Sequence, residues 1–305
     1  MVGEVKAGYR RSVDLARFLA AFGIVWDHAR APFADVGYLA LSLFLVLTSY
    51  LAVGSFERSD GRGFWLARAA RIAVPWLVWC AVFRVVIEVL ADTPLPLLSD
   101  PWTLLIGPSI HLWFLPFVMI ALVVIPVLSR GIQSQRSLAL CCAGLVAMSL
   151  PLGLLHAEAA PTAWFISAGP FPQPFPQWFY SVPLFLFGAL LAIARRLEAS
   201  WMVMATAAVI SGALFYRVPE FASVQLILTA VVFELVWRIN IAGRWPTVLA
   251  GYAFGIYLMH PAWMLVAFKL FGPDVDRAAA ALFTFASAWA ATWVLQKLPY
   301  VQRVV

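Results

Sequence analysis

The sequence predicts an all-α fold, a polytopic membrane bundle of about ten transmembrane helices, and three observations carry that prediction. The 305-residue chain is 63% hydrophobic and only 12% charged, with a mean hydropathy of +0.89, well outside the range of soluble domains. Apolar runs long enough to cross a bilayer recur about every thirty residues, separated by short polar or proline-rich joints. The cationic side chains fall mainly at every second joint, as membrane topology requires. No stretch is polar enough for a separate soluble domain, so residues 1–305 are expected to form a single transmembrane domain.

The expected spans are 13–31, 36–56, 72–92, 111–129, 137–155, 178–195, 200–217, 221–238, 248–270 and 277–297. With a cytoplasmic N-terminus, sixteen of the twenty-one Lys and Arg residues lie on the cytoplasmic side, Lys6, Arg10 and Arg11 among them. The opposite orientation breaks the positive-inside rule at nearly every loop. Both termini are therefore expected to be cytoplasmic, in a cell (inner) membrane. The net charge of +6 serves topology and contact with membrane lipids; no nucleic-acid partner is called for.

The first span carries charge where a plain anchor would carry none: Asp14, Arg17, Asp27 and His28. Arg17 and His28 are eleven positions apart, three helical turns plus about 20°, so they share a face and lie about 16 Å apart along the axis. Ala20, Ala21 and Ile24 line the face between them. A charge inside a span costs at least ~2.5 kcal/mol unless it faces a bundle interior or a water-filled cavity. The alternative is an Arg that snorkels to the headgroups and a His bonded at the far interface; the shared register favours a site. Ala29-Arg30-Ala31 imitates a signal-peptide cleavage site, but the charged groups argue for a retained helix.

In the second span, Thr48-Ser49-Tyr50 either bond back to the helix or line a cavity. Phe64 to Pro75 reads as an interfacial helix turning into the third span, with Arg68 and Arg71 three apart on one face and Arg62 close upstream. These arginines are topology signals and lipid contacts, or they form a cytoplasmic site for a phosphate-bearing ligand. Arg84 sits inside the third span with Glu88 one turn on. The loop 93–110 holds prolines and no Lys or Arg, as an external loop should, and the fourth span opens with His111-Leu112-Trp113-Phe114-Leu115-Pro116. His111 is expected at the external level of His28.

Cys80, Cys141 and Cys142 lie in apolar spans and indicate neither a disulfide framework nor a metal set. The loop 156–177 interleaves prolines with Trp164, Phe165, Phe171 and Phe175; it is not helical and is expected to fold over the outer mouth. In the eighth span Glu234 should pair with Arg238 at i+4. The ninth holds Gly251 and Gly255, a pattern for close helix approach, and the run Tyr257-Leu258-Met259-His260-Pro261. Pro261 frees a backbone carbonyl one turn earlier, and His260 either satisfies that kinked helix or belongs to a site.

Four pieces together carry a family resemblance: Asp14-x-x-Arg17 with ten residues to His28, Arg68-x-x-Arg71-Ile72 with Pro75, His111-Leu112-Trp113-Phe114-Leu115, and Tyr257-Leu258-Met259-His260-Pro261. In order and spacing they resemble the family 3 membrane acyltransferases, which move an acyl group from cytoplasmic acyl-CoA to an extracytoplasmic, usually carbohydrate, acceptor. Thr48-Ser49-Tyr50-Leu51 stands where that family usually has Ser-Gly-Phe/Tyr-Leu, and Pro116-Phe117-Val118-Met119 stands where many O-antigen-modifying members carry a glutamate. The chain is thus similar to the short branch without an extracytoplasmic hydrolase-like domain.

The resemblance implies an acetyl or succinyl group, acyl-CoA as donor substrate, a carbohydrate or glycolipid acceptor and no metal. Arg68 and Arg71, with Arg62, would grip the CoA phosphates. Arg17, held by Asp14 three residues before it, would stand at the pore entrance or orient the pantetheine arm. His28 would be the general base, since imidazole titrates near working pH. His260, His111 or the Trp113 indole would donate to the thioester oxygen or fix the acceptor, with Tyr257 alongside. No Ser or Cys stands beside a His at recognisable spacing, so direct transfer is preferred to an acyl-enzyme. The competing expectations are a polysaccharide or amphipathic-solute transporter or flippase, which proline-broken spans and buried charge also suit, and an inactive relative serving as an assembly subunit.

Overall fold

The computed structural model describes residues 10–90, 107–159 and 174–305, and among them every regular element is helical. These are α1 Arg11–His28, α2 Ala34–Glu57, α3 Gly61–Arg68, α4 Val74–Leu90, α5 Phe114–Ala121, α6 Val124–Gly131, α7 Gln135–Ala159, α8 Phe175–Arg196, α9 Ser200–Arg217, α10 Phe221–Arg238, α11 Trp245–Phe271 and α12 Arg277–Leu295. A π-helical turn, Ala69–Ala73, joins α3 to α4, and a 3-10 turn, Ile110–Trp113, leads into α5.

Among the described residues, eight segments are long and apolar enough to cross a membrane. The other two expected spans, α1 and α9, are helices of 18 residues each. Arg11, Asp14, Arg17 and Asp27 lower the hydropathy of α1, and Ser200, Trp201, Tyr216 and Arg217 that of α9. Val89, Leu140 and Trp201 are largely exposed, whereas Ser42, Thr229, His260 and Thr284 are fully buried. An apolar exterior around polar interior groups is the arrangement lipid favours.

Two expected spans differ in form. The expected interfacial helix and third span are one helical run, Gly61–Val89, capped at its start by Asp60, whose Oδ1 accepts from Gly63 N at 3.1 Å. The fourth breaks at Leu122–Val123 because Pro126 has no N–H for the Leu122 carbonyl; Ile125 N–H takes that carbonyl at 3.1 Å, tightening the turn. Arg84 pairs with Glu88 at 3.4 Å, and Arg238 with Glu234 at 3.9 Å, the second as expected. The three cysteines are free, Cys142 buried and the others half-buried. Lys6, most of the 93–110 loop and residues 160–173 of the proline-aromatic loop lie outside the described residues.

The chain divides into two compact units. The first comprises residues 1–47, 228–299 and 305: α1, the start of α2, the end of α10, α11 and α12. In it α1 packs against α11 and α12. Phe18 meets Phe285 and Trp289 edge-on, with ring centroids 5.5 and 5.1 Å apart. Close helix approach is built on glycine. A Cβ on Gly37 would stand 2.8 Å from the Gly23 carbonyl oxygen, and one on Gly255 2.4 Å from the Thr292 side chain. Gly251, the other half of the expected close-approach pattern, has open space beside it; its carbonyl accepts from Gln296 Nε2 at 2.8 Å instead.

At Gly37 the obstacle is backbone, which cannot swing away. Gly37→Ala is therefore expected to destabilise the protein by ~1–3 kcal/mol. Gly212→Ala, where nothing lies within 4 Å, should be neutral or slightly stabilising. Thermal unfolding of the two detergent-solubilised variants checks the pair.

The second unit comprises residues 48–227 and 300–304. In it α7, α8 and α9 pack together, and α5 packs on the π turn and on α8. Trp79 Nε1 donates to the Val304 carbonyl at 2.8 Å, fastening the C-terminal residues of the unit to α4.

Candidate active site

The first unit brings His28, His260 and the Tyr257 carbonyl together. His28 is the last residue of α1. Arg30 and Phe33 then take left-handed backbone conformations with φ of 56° and 60°, and Trp26 Nε1 donates to the Pro32 carbonyl at 2.8 Å, so the chain reverses tightly just past the imidazole. On α11, Pro261 has no N–H for the carbonyl four residues back, which is that of Tyr257. His260 supplies the missing donor, its Nδ1–H donating to Tyr257 O at 2.7 Å.

That bond sets the chemistry of the other ring. With Nδ1 of a neutral His260 carrying the proton, its Nε2 is an acceptor, and His28 Nδ1 lies 2.7 Å from it. His28 Nδ1–H therefore donates to His260 Nε2, and the lone pair of the His28 ring lies on its Nε2. The two rings are nearly parallel, 7° apart in plane with centroids 4.9 Å apart. His260 is fully buried, and His28 half-buried. A backbone carbonyl thus fixes one tautomer, which fixes the next, as the orienting member of a catalytic triad does. Of the two roles expected for His260, satisfying the helix around Pro261 is filled by its Nδ1, while its Nε2 faces His28 Nδ1.

A second polar clasp holds the same helices. Asp14 Oδ2 accepts from Thr247 Oγ1 at 2.8 Å, and from there to the imidazole pair runs about 20 Å of helix. The clasps fix α1 against α11 in register. Arg17 is half-buried on α1, and Ala20, Ala21 and Ile24 are buried. Tyr257 is itself buried, its ring stacked 6.4 Å from that of Phe44; what it contributes to the imidazole pair is its carbonyl.

The remaining expected residues belong to the second unit. His111 is buried, with Nδ1 hydrogen-bonded to Ser109 Oγ at 2.9 Å and its ring edge-on to Phe83 at 5.1 Å. Trp113 is buried among Phe114 and Phe117. Arg68 is half-buried, its guanidinium carbon 5.1 Å from the Phe64 ring centroid. Its Nε is buried with no hydrogen-bond partner among the described residues. Arg62 and Arg71 are exposed. Arg68 ends α3, and Arg71 lies in the π turn that follows it.

Sequence reasoning passed over Thr247 and Ser109, which are ordinary hydroxyls with no local signal of their partners. Among the described residues no group of three or more His, Cys, Asp or Glu side chains is placed to hold a metal ion.

A family model described as an acyltransferase domain matches residues 10–296. No curated protein and no solved structure matches the chain significantly. The match spans nearly the whole length and both units, including His28, His260 and Arg68. The chain belongs to acyltransferase family 3 and is a multi-pass membrane acyltransferase.

Proposed function

We propose that the protein transfers an acyl group, acetyl or succinyl, from cytoplasmic acyl-CoA to a hydroxyl of an extracytoplasmic carbohydrate or glycolipid. It does so from the inner membrane, with both termini cytoplasmic. The observation that carries the reading is the ordered pair of imidazoles, which puts the His28 lone pair on Nε2. A sugar hydroxyl is a poor nucleophile until its proton is taken. His28 Nε2 takes that proton as the oxygen attacks the thioester carbonyl. The imidazolium so formed is held by its Nδ1–H bond to His260. The new C–O bond forms, the C–S bond breaks, and the proton passes from His28 Nε2 to the departing CoA thiolate. No acyl-enzyme is needed.

Arg68 serves the donor. A half-buried guanidinium whose Nε has no partner among the described residues is poised for an anion, and the planar fork suits phosphate. Exposed Arg62 and Arg71 supply further positive charge on the same helical run. Arg17 provides a cation one face along α1 from the base.

Arg68→Ala is expected to raise KM for acyl-CoA about tenfold or more, the worth of a charge-assisted hydrogen bond. The effect should vanish with an acyl-pantetheine that lacks the nucleotide phosphates. Equal losses on both donors would remove the phosphate role. The reading as a whole is tested in inverted vesicles: labelled acyl-CoA added outside should label an enclosed glycan acceptor, and unlabelled acceptor in all conditions would overturn it.

A further inference from the structure

The second unit holds a cavity that the imidazole chemistry does not use. A space of about 90 Å³ opens where the end of α7, the start of α8, the end of α9 and the start of α10 meet. Leu184, Leu214 and Leu226 line its walls with the Phe179 and Tyr180 rings. The polar groups in it are acceptors in excess. Ser149 Oγ lines it, 1% exposed and with no hydrogen-bond partner among the described residues. His156 Nδ1–H donates to the Pro176 carbonyl at 3.0 Å, which puts the lone pair of its neutral ring on Nε2. Ser223 Oγ donates to the Val218 carbonyl at 2.7 Å and keeps its acceptor capacity. Glu220 stands exposed at the rim.

A buried hydroxyl without a partner costs free energy unless a ligand or water fills it. Four acceptor positions around an apolar wall call for a guest that brings several O–H donors on a compact hydrocarbon frame. An aromatic face completes the set, for the His156 ring leans on the Tyr180 ring at 5.2 Å, and the Tyr180 hydroxyl is itself committed to Gln225 Oε1. The volume is that of about three waters, enough for one edge of a sugar ring with its hydroxymethyl arm and too small for an oligosaccharide.

We propose that this cavity is a binding pocket for the hydroxyl-bearing edge of a single sugar residue. Ser149 and His156 receive its hydroxyls, and the Tyr180 and Phe179 rings cover its C–H face. The naming of a sugar rests on the carbohydrate-acceptor reading above; the surplus of acceptors over donors does not.

The experiment is saturation-transfer NMR on the full chain in lipid nanodiscs, with the methyl glycosides of glucose, galactose and mannose as probes. Wild type should saturate at millimolar concentration with at least one of them. Ser149→Ala should weaken that binding about fivefold, the loss of one neutral hydrogen bond, and Ala222→Trp, which fills the mouth, should abolish it. In the transfer assay the same two variants should raise the acceptor KM with KM for acyl-CoA and kcat unchanged. Glycoside binding that responds to both variants in a protein that transfers no acyl group leaves the pocket standing and removes the acyltransfer reading. Transfer with an acceptor KM identical in wild type, Ser149→Ala and Ala222→Trp, and no glycoside saturation, overturns the pocket and leaves that reading intact.

Discussion

Replacing His28 by alanine is expected to lower the rate of acyl transfer by ~10²–10⁴, the usual contribution of a positioned general base. The KM for acyl-CoA should stay nearly constant. The separation follows from where the side chain stands: His28 lies at the end of α1 with Nδ1 committed to His260, while the arginines assigned to the donor lie on α3 and the π turn in the other unit. Loss of the imidazole removes the proton acceptor and leaves the donor's phosphate contacts alone. The comparison uses proteoliposomes with equal amounts of folded wild type and variant. Added imidazole should restore part of the rate in the His28→Ala protein. A variant that transfers at the wild-type rate would mean the hydroxyl proton goes elsewhere.

In the proposed mechanism His260 is a positioning residue, and its removal should cost on the order of 10²-fold in kcat because the base loses its fixed tautomer. In His260→Ala, the His28 ring is no longer told which nitrogen keeps the proton, and the Tyr257 carbonyl, already deprived of a backbone donor by Pro261, loses the side-chain donor as well. Both consequences are visible apart from the rate. The pH dependence of kcat should move, since the imidazolium formed during transfer loses the ring that accepts its Nδ1–H bond. Pro261→Ala separates tautomer control from packing. It returns a backbone N–H to the Tyr257 carbonyl, so His260 is released from that bond while its ring stays in place. A fall in kcat in Pro261→Ala with unchanged thermal stability supports the relay. Loss of stability with an unchanged pH profile in both variants would reduce His260 to a structural role.

Much of the arrangement was legible along the chain because it depends on distances within one helix. Ten helical spans follow from runs of apolar residues, and the paired Arg84 and Glu88, Glu234 and Arg238 follow from helical spacing. The carbonyl freed by Pro261 was readable for the same reason: a proline acts four residues upstream whatever surrounds it. The π turn was not legible, since Ala69–Ala73 contains nothing that an α-helix would refuse. Nor was the cavity of the second unit, whose walls come from α7, α8, α9 and α10.

The sequence by itself determined that this chain lives in a membrane as helices, that α1 carries a cation and an imidazole about three turns apart, and that α11 holds a histidine beside a proline that frees a carbonyl. Only the tertiary structure decided that the two histidines are one unit, 232 positions apart in the chain and 2.7 Å apart in space. The physical reason is that hydrophobicity and helical periodicity act locally and can be counted. Which nitrogen of His28 carries the lone pair depends on a hydrogen bond to another helix, and that exists only once glycine contacts and the Asp14–Thr247 clasp have set the helices in register.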